Sequence, residues 1–149
     1  MTDYELLNQQ LEVMVEGIPH TIANLANASA LLYDTLENLN WAGFYLMEQG
    51  KLVLGPFQGK VACVEIEIGK GVCGTAVAQN ETQLVSDVHQ FPGHITCDCA
   101  SNSEIVIPIR KNGMVIGVLD IDSPLFARFS EADRNGLEHF VHILEEKVF

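Results

Sequence analysis

The sequence predicts an α+β domain in which helices from the two ends of the chain pack together on one face of an antiparallel sheet. Three observations carry this expectation. Amphipathic stretches with helical spacing sit at both ends of the chain. Strand-like segments fill the middle and are joined by hairpin signals, Glu48-Gln49-Gly50 and Asn112-Gly113. Strands joined by hairpins pair antiparallel, and terminal helices then share one face of the sheet. A length of 149 residues is that of one domain, so 1–149 is expected to be a single folded unit. A chain of this size buries roughly 70% of its unfolded surface and needs no staples.

The elements follow in order. Thr2-Asp3-Tyr4-Glu5 has capping-box spacing and opens a helix to about Val15. Gly17-Ile18-Pro19 breaks it, and Pro19 suits the first turn of a second helix. Ile22, Leu25, Ala26, Ala28, Leu32 and Leu36 give that helix an apolar stripe to about Leu39. Trp41 to Met47 and Lys51 to Gly55 read as two strands, and Val61 to Ile68 as a third. Gly69-Lys70-Gly71-Val72-Cys73-Gly74-Thr75-Ala76 is a glycine-rich turn into a short helix, and Thr82 to Ser86 a short strand. Asp87 to Asn102 has no usable periodicity and holds Pro92, Gly93, two histidines and two cysteines, the mark of a functional loop. Glu104 to Ile109 and Met114 to Ile121 are strong strands around Asn112-Gly113. Ser130-Glu131-Ala132-Asp133 caps a last helix to about Val148.

Charge narrows the partners. The net charge is −12, from 20 acidic and 8 basic residues. Nucleic acid binding relies on Lys and Arg against phosphates, and anionic membranes attract basic segments, so neither partner is expected. No apolar run approaches the roughly 18 residues of a membrane span. The first residues, Met1 to Glu5, lack the basic and apolar regions of a signal peptide. A cytoplasmic location is therefore expected, where thiols stay reduced unless catalytic or redox-sensing.

Four cysteines stand out: Cys63, Cys73, Cys97 and Cys99. The gaps of nine, twenty-three and one residue match no zinc-knuckle spacing, so no metal site is expected. Cys73, beside Val72 and Ala76, reads as a small buried hydrophobe, and Cys63, alternating with Val61 and Val64, fits that reading less well. Cys97 lies in a polar loop between Thr96 and Asp98, where exposure favours reactivity. Carboxylates gather near that loop. Counting from the Asn112-Gly113 turn, hairpin partners have numbers summing to about 225, which puts Glu104 opposite about Ile121. Asp120 and Asp122 share one face of their strand, so three carboxylates converge within a few residues. Such a cluster binds an ammonium group, and a member with a raised pKa supplies a proton. His89 and His94 flank Phe91-Pro92-Gly93 and are either thiolate partners or solvated side chains. Trp41 and Tyr45, four residues apart on one strand face, are either core or the aromatic wall of a ligand pocket.

At this point the residues resemble a known family, the free methionine-(R)-sulfoxide reductases, which are single-domain GAF-fold enzymes. The likeness runs through Trp41-Ala42-Gly43-Phe44-Tyr45-Leu46, Leu54-Gly55-Pro56-Phe57-Gln58-Gly59, Ala62-Cys63 and Gly69-Lys70-Gly71-Val72-Cys73-Gly74. It continues through Asp87-Val88-His89-Gln90-Phe91-Pro92-Gly93-His94-Ile95, Cys97-Asp98, Ser101-Asn102-Ser103-Glu104-Ile105-Val106 and Gly117-Val118-Leu119-Asp120-Ile121-Asp122-Ser123. By resemblance, Cys97 matches the catalytic thiol, Cys63 the resolving cysteine and Cys73 an auxiliary one. Glu104, Asp120 and Asp122 match substrate-binding carboxylates, and Trp41 and Tyr45 match pocket-lining positions. Cys99 has no counterpart in the pattern and is an alternative resolving thiol or an incidental one.

The resemblance implies thiol-dependent reduction of free methionine-(R)-sulfoxide through a cysteine sulfenic acid and an intramolecular disulfide. Thioredoxin is the implied reductant, with no metal or organic cofactor, and the implied assembly is a homodimer. Two other readings remain, a non-enzymatic GAF ligand sensor and a thiol redox switch. Against a phosphate-bearing sensor ligand stand the three carboxylates, since phosphate wants basic residues or free helix N-termini.

Overall fold

The computed structural model describes residues 1–93 and 100–149, so His94, Cys97 and Cys99 lie outside the described residues. Helices α1 (Tyr4–Val15) and α2 (Thr21–Thr35) precede strands β1 (Trp41–Glu48), β2 (Lys51–Gly59) and β3 (Glu65–Glu67). Helix α3 (Gly71–Gln79), strand β4 (Gln83–Val85) and a single 3-10 turn at Val88–Gln90 follow. Strands β5 (Ser103–Lys111) and β6 (Met114–Ser123) lead into helix α4 (Glu131–Lys147). The sheet runs β3-β2-β1-β6-β5-β4, and every pairing is antiparallel.

Both sheet faces are covered. Ala42, Phe44, Ile105, Ile107, Leu119 and Ile121 point to one side and join Leu7, Leu11, Leu25, Leu32, Leu137 and Phe140 of the terminal helices in one core. Each such Leu, Ile or Phe, fully removed from water, contributes about 1.5–3 kcal/mol. The alternate residues Trp41, Tyr45, Val106 and Val118 point to the other side, where Val72, Cys73 and Ala76 of α3 cover them. Strands buried on both faces read as unbroken apolar runs, as Ile105-Val106-Ile107 does. Helices at the two ends of the chain thus share one face as expected, and α3 packs on the other.

The helix ends differ in detail from the sequence reading. Asp3, not Thr2, caps α1, its side chain accepting from the Leu6 amide at 3.1 Å. Pro19 lies outside α2, which His20 precedes and which ends at Thr35. The buried stripe of α2 is Asn24, Leu25, Ala28, Ser29 and Leu32, while Ile22 is 63% exposed and Ala26 is exposed too. At α4 the capping box is present: Asp133 N–H donates to Ser130 Oγ at 3.2 Å and Ser130 N–H to Asp133 at 2.8 Å. Tyr4 hydroxyl donates to Asp133 at 2.6 Å and so pins α1 on α4.

Two strand expectations change more. The third strand covers only Glu65–Glu67, and Val61 and Val64 are 88% and 66% exposed. The stretch before it is a strap tied by side chains: Trp41 Nε1–H donates to Lys60 O at 3.1 Å and Tyr45 hydroxyl to Cys63 O at 2.9 Å. Conversely β2 runs on to Gly59. The register of the β5–β6 hairpin also moves. Lys111 pairs with Met114 and Arg110 with Val115, but Ile109 pairs with Gly117, so Ile116 is an extra residue in β6. Past this bulge Glu104 lies opposite Asp122, not Ile121. Among the described residues no helix is long and apolar enough to cross a membrane.

Candidate active site

The sheet face away from the terminal helices holds the predicted residues. Across β1 and β6, Trp41 lies opposite Asp122, Gly43 opposite Asp120 and Tyr45 opposite Val118. Across β6 and β5, Asp122 lies opposite Glu104 and Asp120 opposite Val106. Directly opposed residues share a face, so Trp41, Tyr45, Glu104, Asp120 and Asp122 all point the same way. The bulge at Ile116 is what achieves this, because a register one residue off would send Glu104 to the helix side with Ile121.

Aromatic rings form one wall. Trp41 stacks on Tyr45 at 5.9 Å between centroids and on Phe57 at 5.1 Å. Phe57 is not singled out by the sequence reading. Its signal is Gly43 in mid-strand, since a Cβ there would sit 2.2 Å from Phe57 Cβ. Helix α3 closes the other side. Gly74 lets it dock, because a Cβ at that position would meet Glu67 O at 2.4 Å. That approach presses Cys73, one residue earlier, against the carboxylates.

The electrostatics follow from burial. Glu104 is 8% exposed and Asp120 6% exposed. Burial pushes the Glu104 carboxyl well above the usual range, and the charges of Asp120 and Asp122 add to it. Burial also raises Asp120, while hydrogen bonds from Glu104 and Cys73 oppose that rise. Glu104 therefore holds its proton more strongly than an exposed carboxyl does, and it shares a hydrogen bond with Asp120. Cys73 is free, 4% exposed and pushed well upward by burial first, then by Asp120, Glu104 and Asp122. It is a thiol that donates to Asp120, not a thiolate. Burial, then the same acids and Cys73, push the Tyr45 phenol upward as well. Asp120 Oδ1 is buried with no hydrogen-bond partner.

The remaining candidates sit at the margins. Cys63 is half-buried in the strap and disulfide-bonded. His89 precedes Cys97 in the chain, and its Nε2–H donates to Asn102 Oδ1 at 2.8 Å. Asn102, which sequence reasoning passes over, ties that region together. Its amide donates to Ser123 O at 2.8 Å, its carbonyl accepts from Val88 at 3.0 Å and its side chain donates to Pro124 O at 2.7 Å. On the other flank Gly71 N–H donates to Gly93 O at 3.1 Å, joining the start of α3 to the loop. The arrangement gathers buried carboxyl groups, a buried thiol and an aromatic wall on one face of the sheet.

Residues 10–147 match the GAF domain family. The chain is 56% identical over 143 residues to the free methionine-R-sulfoxide reductase of Escherichia coli, covering 96% of this chain and 87% of that one. Among solved structures, the reduced fRMsr of Staphylococcus aureus superposes with a TM-score of 0.97 at 56% identity, covering 100% of this chain and 97% of that one. The free methionine-R-sulfoxide reductase of Neisseria meningitidis, in complex with its substrate, gives 0.94 at 43% identity, covering 97% and 87%.

Proposed function

The chain belongs to the free methionine-R-sulfoxide reductases of the GAF family, and from that premise we propose how its own residues reduce free L-methionine-(R)-S-oxide to L-methionine. The observation that carries the proposal is the Glu104–Asp120 pair, which holds a proton at the floor of a face walled by Trp41 and Tyr45.

The substrate carries an ammonium, a carboxylate, an S-methyl group and a polar S=O bond. Asp122, half-buried at the rim, takes the ammonium, which selects the free amino acid over a residue inside a peptide. Trp41 and Tyr45 line the S-methyl end. The Glu104 proton, shared with Asp120 in the free site, turns to the sulfoxide oxygen when the substrate enters. Cys97 attacks the sulfoxide sulfur through its own sulfur, and Glu104 gives its proton to the departing oxygen. The protonated oxygen passes from the methionine sulfur to the Cys97 sulfur as the S–O bond and the transient S–S bond break, so methionine leaves with a divalent sulfur and the Cys97 thiolate becomes a sulfenic acid. Cys63 thiol then displaces water from that sulfenic acid to form the Cys63–Cys97 disulfide. A dithiol protein of the thioredoxin class reduces the disulfide by exchange and returns both thiols. Such recycling suits a reducing, cytoplasmic compartment. Cys73, its proton held by burial, is not the nucleophile.

The test uses one turnover. Cys97→Ser should form no methionine from the free sulfoxide, and retained methionine formation would refute the assignment. Cys63→Ser should complete one turnover and then stop, with no further NADPH consumed in the presence of thioredoxin and its reductase. A ligand sensor or thiol switch would consume no NADPH in response to the sulfoxide.

A further inference from the structure

The reaction leaves Cys73 without a chemical task, although three elements bring it to the carboxylates. Its sulfur, one Glu104 oxygen and one Asp120 oxygen lie within 4.8 Å of one another. All three residues are buried. The second observation is Asp120 Oδ1, buried and lacking a hydrogen-bond partner. A buried carboxylate oxygen left unsatisfied is a strained arrangement that a cation relieves.

We propose that Cys73, Glu104 and Asp120 form a binding site for a borderline-soft divalent cation of the zinc and cadmium class, whose occupancy excludes the sulfoxide substrate. One thiolate sulfur and two carboxylate oxygens make three ligands, leaving a fourth position open. Zinc–sulfur bonds of about 2.3 Å and zinc–oxygen bonds of about 2.1 Å place tetrahedral ligand atoms about 3.5 Å apart, so side-chain rotations of about 1 Å close the site. The thiolate selects against magnesium and calcium, which take oxygen ligands. The donors come from α3, β5 and β6, separated by 31 and 16 positions, a spacing no linear metal motif contains.

The three groups hold the ion in their deprotonated forms, so binding releases protons and tightens as pH rises. It also removes the proton that Glu104 gives to the sulfoxide and fills the space the substrate needs.

The test isolates Cys73 as the sole thiol in a Cys63→Ser/Cys97→Ser/Cys99→Ser variant, whose fold is checked by circular dichroism and thermal unfolding. Cadmium titration should give one ion per chain, an ultraviolet thiolate-to-cadmium band and release of protons. Changes to groups that only hydrogen-bond a metal's ligands already cost about 10–100-fold in affinity, so Glu104→Gln and Asp120→Asn in that background should each weaken binding by at least about tenfold. Cys73→Ala should abolish the band. Saturating free methionine-R-sulfoxide should weaken cadmium binding in the same variant, which cannot turn it over. If the triple variant does not fold, Cys99→Ser with Cys63 oxidised serves in its place. Absence of the band, or cadmium affinity unchanged by both carboxylate substitutions, overturns the site. Cadmium affinity unchanged by the sulfoxide overturns the exclusion. The cadmium readouts do not depend on turnover, so failure of the ion site and failure of the reductase chemistry are distinguishable.

Discussion

Replacing Glu104 by Gln changes one property above all. Glutamine keeps the volume and can still donate a hydrogen bond to Asp120, but it has no acidic proton to give to the sulfoxide oxygen. Loss of a positioned general acid lowers rates by about 10²–10⁴, or about 3–5 kcal/mol of barrier. The stability change runs the other way. In the native state burial holds the Glu104 proton to a higher pH than in the unfolded chain. Between the unfolded value and the raised native one, the native state binds more protons than the unfolded state, so stability falls as pH rises through that window. The Gln variant has no such proton to lose, and its stability between pH 5 and 8 should be flatter than that of the parent. At pH 8 it should unfold at the same or a higher temperature, since the parent must there hold a proton or bury a second charge beside Asp120 and the variant does neither. The assay is acid-quenched single-turnover methionine formation, with thermal unfolding at both pH values. The parent rate should fall as pH rises through the raised Glu104 value, and the variant should lack that limb. A variant rate within about threefold of the parent, or a variant that unfolds at lower temperature at pH 8, refutes the reasoning.

Other positions give sharper structural readouts. Gly43→Ala puts a Cβ 2.2 Å from Phe57 Cβ and 2.6 Å from its Cα, so β1 and β2 must separate; urea unfolding should show a loss of about 1–3 kcal/mol. Tyr45→Phe removes the hydroxyl that holds Cys63 O at 2.9 Å. Stability should fall by about 0.5–1.5 kcal/mol, and rapid-quench kinetics should show disulfide formation slowed more than methionine release. Ser130→Ala removes the cap of α4 on the face remote from the carboxylates; the unfolding temperature should drop by about 2–4 °C for a loss of about 1 kcal/mol, with turnover unchanged.

The ends of the chain were legible because their signals are local. Ser130 and Asp133 announce the start of α4, and Asn112-Gly113 announces the hairpin whose loop it forms. The convergence of Glu104, Asp120 and Asp122 was legible as proximity but not as pairing. Counting from the turn assumes an unbroken ladder, and nothing in Met114-Val115-Ile116-Gly117 marks Ile116 as the residue that breaks it. The strap before β3 was misread for a related reason. Val61, Ala62, Cys63 and Val64 have strand-like composition, but the carbonyls of Lys60 and Cys63 are taken by Trp41 and Tyr45 rather than by a neighbouring strand. Cys73 was legible as buried, since Val72 and Ala76 surround it in sequence. Its carboxylate neighbours were not, because they arrive from strands more than thirty residues away.

Strands β5 and β6 perform two tasks that oppose each other energetically. Burying Glu104 and Asp120 destabilises the fold, yet it is what lets Glu104 hold a proton to higher pH than an exposed carboxyl. The compensation lies one residue away on every strand. Ile105 sits beside Glu104, and Leu119 and Ile121 flank Asp120, each fully buried against the terminal helices. A strand whose side chains alternate between faces therefore couples each buried acid to a buried hydrophobe of opposite direction and opposite effect. The bulge at Ile116 enforces that coupling across β5 and β6, because a one-residue slip would put Glu104 into the apolar core and Ile105 into the site. Register, more than any single side chain, is what turns this sheet from a scaffold into a source of protons.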